Sequence, residues 1–258
     1  MLHVNAARLA AGSSFSPADF GSDLKLWLDA SDSGTVTQSG GAVSQWDDKS
    51  SNGYAFTQGS AGAKPTWGTR TQNGLYVMDF DGGDSIDCTS TAATWTFLHD
   101  GTTYIIAAVA CRDTAGTNGT ICNTAGGGGT NGLNFRFLAA NTISHYVEKS
   151  TSIVLNSPSV GTSTAARVVS LVGDPDNGTA ADRSDMYLDG GSSQKLSTAT
   201  GATTGTDPTS ALIVGNRSGG GLPLDGFVAE LVIVVGSSAT ESNRSTLHDY
   251  LNTKWAVY

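Results

Sequence analysis

The sequence predicts an all-β protein, an antiparallel β-sandwich closed by one C-terminal amphipathic helix. Three observations carry this. Only 14% of the 258 residues are charged, and the remaining polarity comes from Ser, Thr, Asn and Gly, which compete with helical backbone bonds and favour turns and strands. Short apolar or alternating runs recur along the chain, divided by Gly, Asn and Asp. Only the last twenty residues or so show helical spacing.

The elements follow in order. LKLWL, residues 24–28, alternates around Lys25 and opens the sheet. AVSQW, YAFTQ and LYVMDF come next, then TYIIAAVACR, whose Ile105, Ile106 and Val109 suit a central strand buried on both faces. LNFRFLA alternates: Leu133, Phe135 and Phe137 face one way, Asn134 and Arg136 the other. ISHYVE, ARVVSLVG, SDMYLDG, ALIVGN and DGFVAELVIVV bring the strand candidates to about a dozen. Asn73-Gly74, Asp81-Gly82, Asp189-Gly190 and Asp225-Gly226 are hairpin steps. Ser238 and Glu241 form a capping-box pattern before Leu247, Tyr250, Leu251 and Trp255, one apolar stripe. Residues 1–22 lack periodicity and read as an arm ahead of a domain spanning 23–258, with Leu2, Val4, Arg8, Leu9 and Phe15 as its contact residues.

Composition excludes several function classes. A formal charge of −9 argues against a nucleic-acid surface. No run of 18 apolar residues suggests a membrane span, and the first fifteen residues do not read as a secretion signal. Cys88, Cys111 and Cys122 are an odd number without a C-x-x-C pair, which favours reduced, buried thiols, although Cys111 and Cys122 could meet across a hairpin.

The order of LKLWLDASD, WDDKSSNGYAFTQ, NGLYVMDFDGGDSI, MYLDGG, ALIVGNRSGGG and DGFVAELVIV, followed by the helix, resembles the concanavalin A-like, laminin-G-like jelly roll. Such domains occur in phage virion proteins and bacterial exoproteins. The resemblance spans roughly residues 24–256 and implies two antiparallel sheets, with binding along a concave face or a loop rim.

Chemistry narrows the role. Glycoside hydrolysis needs two facing carboxyl groups. The three glutamates, Glu148, Glu230 and Glu241, form no cluster, and Asp79 and Asp81 end a strand. No histidine constellation suggests catalysis: His248, on the terminal helix, reads as a surface or interface residue. The chain is therefore expected not to be an enzyme. A calcium ion is possible, though not required, with Asp81, Asp84 and Asp87 in DGGDSID and Asp174, Asp176 and Asn177 in DPDNG as its ligands; the competing reading has each Asp bonding its own turn. Leu26–Val36, with Asp29 and Asp32, reads as a strand leaving its sheet through such a turn, Trp27 anchored in the core. Trp67, Trp95 and Tyr54 are candidate glycan-stacking aromatics, against a core-packing alternative.

Two functions follow. The first is a non-catalytic structural or decoration protein of a phage virion, binding neighbouring subunits through its arm as a homo-oligomer assembled in the host cytoplasm. The alternative is a glycan-binding adhesion module at a cell surface or outside the cell. Neither involves nucleic acid or a membrane.

Overall fold

A computed structural model describes residues 15–126, 130–148, 154–195 and 204–258. In chain order it has β1 (Leu24–Asp29), β2 (Val36–Ser39), β3 (Ala42–Asp47), β4 (Ala55–Thr57), β5 (Thr71–Gln72), β6 (Leu75–Tyr76), β7 (Met78–Asp81), β8 (Ile86–Cys88) and β9 (Tyr104–Arg112). There follow β10 (Gly119–Asn123), β11 (Gly132–Leu138), β12 (Thr142–Glu148), β13 (Val154–Asn156), β14 (Arg167–Gly173), β15 (Ser184–Leu188), β16 (Ile213–Val214), β17 (Asp225–Val235) and the helix α1 (Glu241–Trp255).

All strand pairs are antiparallel, and they build a sandwich. One sheet runs β1-β17-β9-β14-β15, with β7 also on β17. The other runs β13-β12-β11-β10-β16-β8-β4-β3-β2, and β5-β6 is a separate ribbon. This is the antiparallel jelly-roll sandwich that the sequence predicts.

Burial explains the sequence patterns. The six-stranded sheet is covered on both faces. Leu26, Leu28, Ile106, Leu231 and Ile233 point into the inter-sheet core, while Ile105, Ala107, Val109, Val232 and Val234 pack against Leu247, Leu251 and Trp255 of α1. Hence β9 and β17 read as continuous apolar runs, each face having something to bury. The nine-stranded sheet has one face on the core, with Trp46, Phe56, Phe135 and Val147. Its other face points away from the core, so its strands alternate.

Several expectations change. LYVMDF is two strands, β6 and β7, because Val77 donates its N–H to the Arg70 carbonyl at 3.3 Å and leaves the ladder. The helix is capped by Thr240, whose side chain accepts from Asn243 N–H at 3.3 Å, rather than by Ser238. His248 is only 2% exposed: its helix face is turned onto β14, where Nδ1 meets Ser170 Oγ at 2.7 Å. Cys88, Cys111 and Cys122 are free and buried, so the Cys111–Cys122 bridge does not form.

The segment read as an arm splits. Leu2, Val4, Arg8 and Leu9 lie outside the described residues. Phe15 packs on its own domain, with ring centroids 5.4 Å from Phe20 and 5.9 Å from Tyr250 of α1. Asp23 then accepts from Ser238 N–H at 2.9 Å, tying the entry of β1 to the exit of β17.

Candidate functional site

The register of the nine-stranded sheet aligns one residue from each strand in a row. Thr37, Gln45, Thr57, Asp87, Ile213, Asn123, Asn134, Tyr146 and Leu155 are successive cross-strand partners. Their chain neighbours Trp46, Phe56, Ile86, Cys122, Phe135 and Val147 are in the core, so period-2 alternation puts the row from Thr37 to Tyr146 on the outward face. Seven of the nine are polar or phenolic, and three of these, Asp87, Asn123 and Asn134, are types that strands disfavour. Thr37 and Asp87 are exposed and Gln45, Thr57 and Tyr146 half-buried, while Asn123 and Asn134 form a buried floor.

The floor is wired. Ser218 N–H donates to Asn123 Oδ1 at 3.4 Å. Asn123 Nδ2 donates to the Leu133 carbonyl at 3.1 Å and to Asn134 Oδ1, and Asn134 Nδ2 donates to Glu148 Oε2. Each amide is held in one orientation by the next, which fixes the geometry of this part of the face. Burial raises the Glu148 carboxyl pKa, while Arg136, Arg217 and the Asn134 amide pull it down, for a net upward shift.

Two arginines flank this floor. Arg136 stands two residues on from Asn134 along β11, its guanidinium 5.8 Å from the Tyr146 ring centroid. Arg217 comes from the loop between β16 and β17, where Gly220 N–H closes a turn onto the Arg217 carbonyl at 2.8 Å. Gly221 is required here: it has φ +103°, and a Cβ would sit 3.1 Å from Arg217 Nη2. Burial lowers the Arg136 pKa and the neighbouring Arg217 charge adds to this, against Glu148.

The residues singled out from sequence fall elsewhere. Trp95 is fully buried, its Nε1 donating to Ser90 Oγ at 2.9 Å. Tyr54 packs on it with centroids 5.3 Å apart. Both serve the core, because the Thr-rich segment around Trp95 winds into a 3-10 turn, Ala92–Leu98, that tucks the indole inward. Trp67 is half-buried, with Nε1 on the Ala30 carbonyl at 2.7 Å and its ring 4.8 Å from that of Tyr76, which is 43% exposed. That pair is a surface aromatic patch away from the row.

Neither candidate calcium loop, DGGDSID or DPDNG, brings three acidic, His or Cys side chains together to share an ion among the described residues. Asp81 Oδ1 accepts from Gly83 N–H at 2.8 Å and Asp84 Oδ2 from Asp81 N–H at 3.0 Å, while Asp87 is on the outward face. Asp174 Oδ2 accepts from Asn177 Nδ2 at 2.9 Å, and Asn177 Oδ1 from Thr179 N–H at 2.9 Å. Asp176 lies against Gly101 instead. Asp81, Asp84, Asp174 and Asn177 thus bond within their own turns. The same holds at the start of the chain: Asp29 Oδ1 accepts from Ser31 N–H at 3.1 Å and Asp32 Oδ1 from Gly34 N–H at 3.0 Å, with Lys49 bridging both acids at 2.9 and 2.8 Å.

The sequence matches no protein-family model, and no curated protein is similar to it at a significant level. Solved structures do resemble it in fold. Domain 4 of AbnA, an extracellular arabinanase from Geobacillus stearothermophilus, solved with arabinotriose, aligns at TM-score 0.59 and 13% identity, over 88% of this chain and 98% of that one. A structure of botulinum neurotoxin type C, a toxin described as depending on two ganglioside molecules for entering cells, aligns at 0.58 and 10%, over 92% and 53%. Trypanosoma rangeli sialidase, in complex with a difluoro-KDN ligand, aligns at 0.53 and 15%, over 96% and 36%. This chain is similar to them as a β-sandwich of the same kind.

Proposed function

We propose that the protein is a non-catalytic carbohydrate-binding module that holds a glycan on the outward face of its nine-stranded sheet. The carrying observation is the polar row that crosses all nine strands, with a wired Asn123–Asn134–Glu148 floor and the half-buried Tyr146 ring beside it. Above that floor Thr37, Gln45, Thr57 and Asp87 offer hydroxyl, amide and carboxylate partners to the hydroxyls of a sugar, and the Tyr146 ring suits its apolar C–H face. Fold neighbours solved with arabinotriose and with a difluoro-KDN ligand support this reading. We prefer it to virion assembly because the fold neighbours include domains solved with sugars.

Spacing favours binding over hydrolysis. Asp47, Asp87 and Glu148 are carboxylates of this face, on β3, β8 and β12. Four strand spacings of about 4.8 Å put Asp87 and Glu148 roughly 19 Å apart, and two spacings plus a two-residue offset put Asp47 roughly 12 Å from Asp87, both beyond the ~5–9.5 Å of a hydrolytic acid pair. A module of this kind works at a cell surface or outside the cell, which is the localisation we propose.

The test is a panel of neutral and acidic oligosaccharides, arabinotriose included, against the full chain, with hits measured by titration calorimetry. Asn134→Ala and Tyr146→Ala should each weaken binding about tenfold or more, with Trp67→Ala near neutral. Binding lost only with Trp67→Ala would move the site to the Trp67–Tyr76 patch. No binding across the panel would remove the reading.

A further inference from the structure

We propose that Arg136 and Arg217 form an anion subsite on this face, and that the glycan held there is acidic, presenting a carboxylate to the two guanidinium groups. The proposal rests on the glycan-binding reading of the same face and adds the class of sugar. Its basis is a comparison among the arginines of the chain. The Nε atoms of Arg112, Arg136, Arg167 and Arg217 are all shut off from solvent without a hydrogen-bond partner. Arg112 and Arg167 nevertheless spend their terminal nitrogens inside the protein. Arg112 donates to the carbonyls of Thr117, Leu138 and Gly161 and to Asn141 Oδ1. Arg167 donates to Asp189 and to the Val160 carbonyl. Arg136 and Arg217 do neither: among the described residues no hydrogen bond or ion pair uses their side chains.

Placing two such groups together is costly unless something repays it. Like charges repel, and a half-buried guanidinium loses hydration. Glu148 lies close enough to attract both, yet neither makes an ion pair with it, and its Oε2 is already taken by Asn134. The guanidinium forks are left free to match an external carboxylate in two parallel bonds, a geometry that arginine supplies and lysine does not. The site is also built rather than incidental. Arg136 is set by β11 next to the Asn134 floor, and Arg217 by a glycine-rich turn whose Ser218 is bonded to Asn123. An acidic sugar would thus lay its ring over the polar row with its carboxylate between the arginines.

The experiment is titration calorimetry of the full chain in about physiological salt with four probes. They are 3′-sialyllactose and trigalacturonic acid as carboxylate sugars, lactose as a neutral one, and inorganic sulfate as an anion without a sugar. The variants are Arg136→Gln, Arg217→Gln and Arg217→Lys, each checked by thermal melt. The loop variant keeps the test informative if the strand variant misfolds. The expected result is that a carboxylate sugar binds about tenfold or more tighter than lactose, that Arg217→Gln removes this preference, and that Arg217→Lys restores little of it. Glu148→Gln should strengthen acidic-sugar binding several-fold by removing the competing charge, an effect that a purely structural role for the arginines would not produce. Equal binding of lactose and the acidic sugars, unaltered in the arginine variants, would overturn the anion subsite and leave the glycan reading standing. Arginine-dependent sulfate binding without any sugar binding would remove the glycan reading and the acidic sugar with it, and leave only an anion site. Silence with all four probes would overturn the subsite.

Discussion

At the scale of single residues, Glu230 carries a carboxyl group that the fold takes wholly out of water. It is fully buried on β17, and four donors converge on its carboxyl: Trp27 Nε1 at 2.7 Å, Trp255 Nε1 at 2.7 Å, Tyr250 OH at 3.0 Å and Lys254 Nζ at 2.8 Å. Burial raises its pKa and the nearby Asp29 charge adds to this, while Lys254 and Trp255 oppose. Lys254 also pairs with Asp29 at 2.7 Å, so one lysine from α1 clamps two acids from adjacent strands. We expect Glu230→Gln to cost roughly 3 kcal/mol in urea unfolding, because the amide turns an N–H toward donors and leaves Lys254 short of charge. A change under about 0.5 kcal/mol would mean that the cluster is held by packing alone. None of this was readable from spacing, since Trp27, Glu230 and Trp255 meet only once β1, β17 and α1 are assembled. What was legible was local: Asp29 and Asp32 do bond their own turns, as Asx residues do.

At the scale of elements, β17 organises the molecule. Its first half pairs with β7 and its second with β1, while β9 runs along its other edge with an irregularity between Val228 and Glu230. Gly226 sits where β7 and β9 both press against it: at φ +151°, a Cβ would lie 2.2 Å from the Cys111 carbonyl oxygen. Gly226→Ala should therefore cost at least about 4 kcal/mol, with Gly219→Ala in the open loop as a control that costs about 1. A soluble Gly226→Ala protein with an unaltered melting temperature would show that the two strands can part at this point. Strand legibility follows the same geometry. The long runs of β9 and β17 and the alternation of β11 and β12 stand out, because they are set by a buried or half-buried face. The two- and three-residue strands β5 and β13 are imposed by neighbouring backbone and leave almost no trace in the sequence, whereas β16, equally short, was legible in ALIVGN. The outward row was half visible, since Asn134 and Arg136 were assigned to one face of β11; cross-strand register was needed to add Asn123, Tyr146 and Asp87.

At the scale of the whole molecule, the balance of buried titratable groups sets the response to acid. Burial drives His145 down to about 3 and His248 to about 4, and lowers His99. His248 shows why: Gly190 N–H donates to its Nε2 at 3.1 Å, so a proton there would face a donor. Arg244, the larger of its charged neighbours in effect, also disfavours the cation, against Asp249, Asp189 and Glu241. A histidine whose pKa is lower folded than unfolded, near 6.5, contributes stability that is present above that value and lost as pH falls. Asp84 works the other way: burial and the Asp81 charge, against the Asp81 N–H bond, raise it to about 6. Its contribution grows on acidification and offsets one histidine between about pH 6 and 4. Asp29, lowered because Lys254 and its hydrogen bonds outweigh burial, matters only below that window. With each strongly shifted histidine worth up to ~1.4 kcal/mol per pH unit, and with Glu148 and Glu230, both raised by burial, adding to the Asp84 offset, the protein should lose at most roughly 2–3 kcal/mol between pH 7 and 5, read as a falling urea midpoint. His248→Gln, which keeps an acceptor for Gly190, should be less stable at pH 7 yet show a shallower slope. Stability that stays flat or rises toward pH 5 would mean that these histidines reach solvent and protonate without unfolding, and that the packing of α1 on β14 yields to acid locally rather than with the whole sandwich.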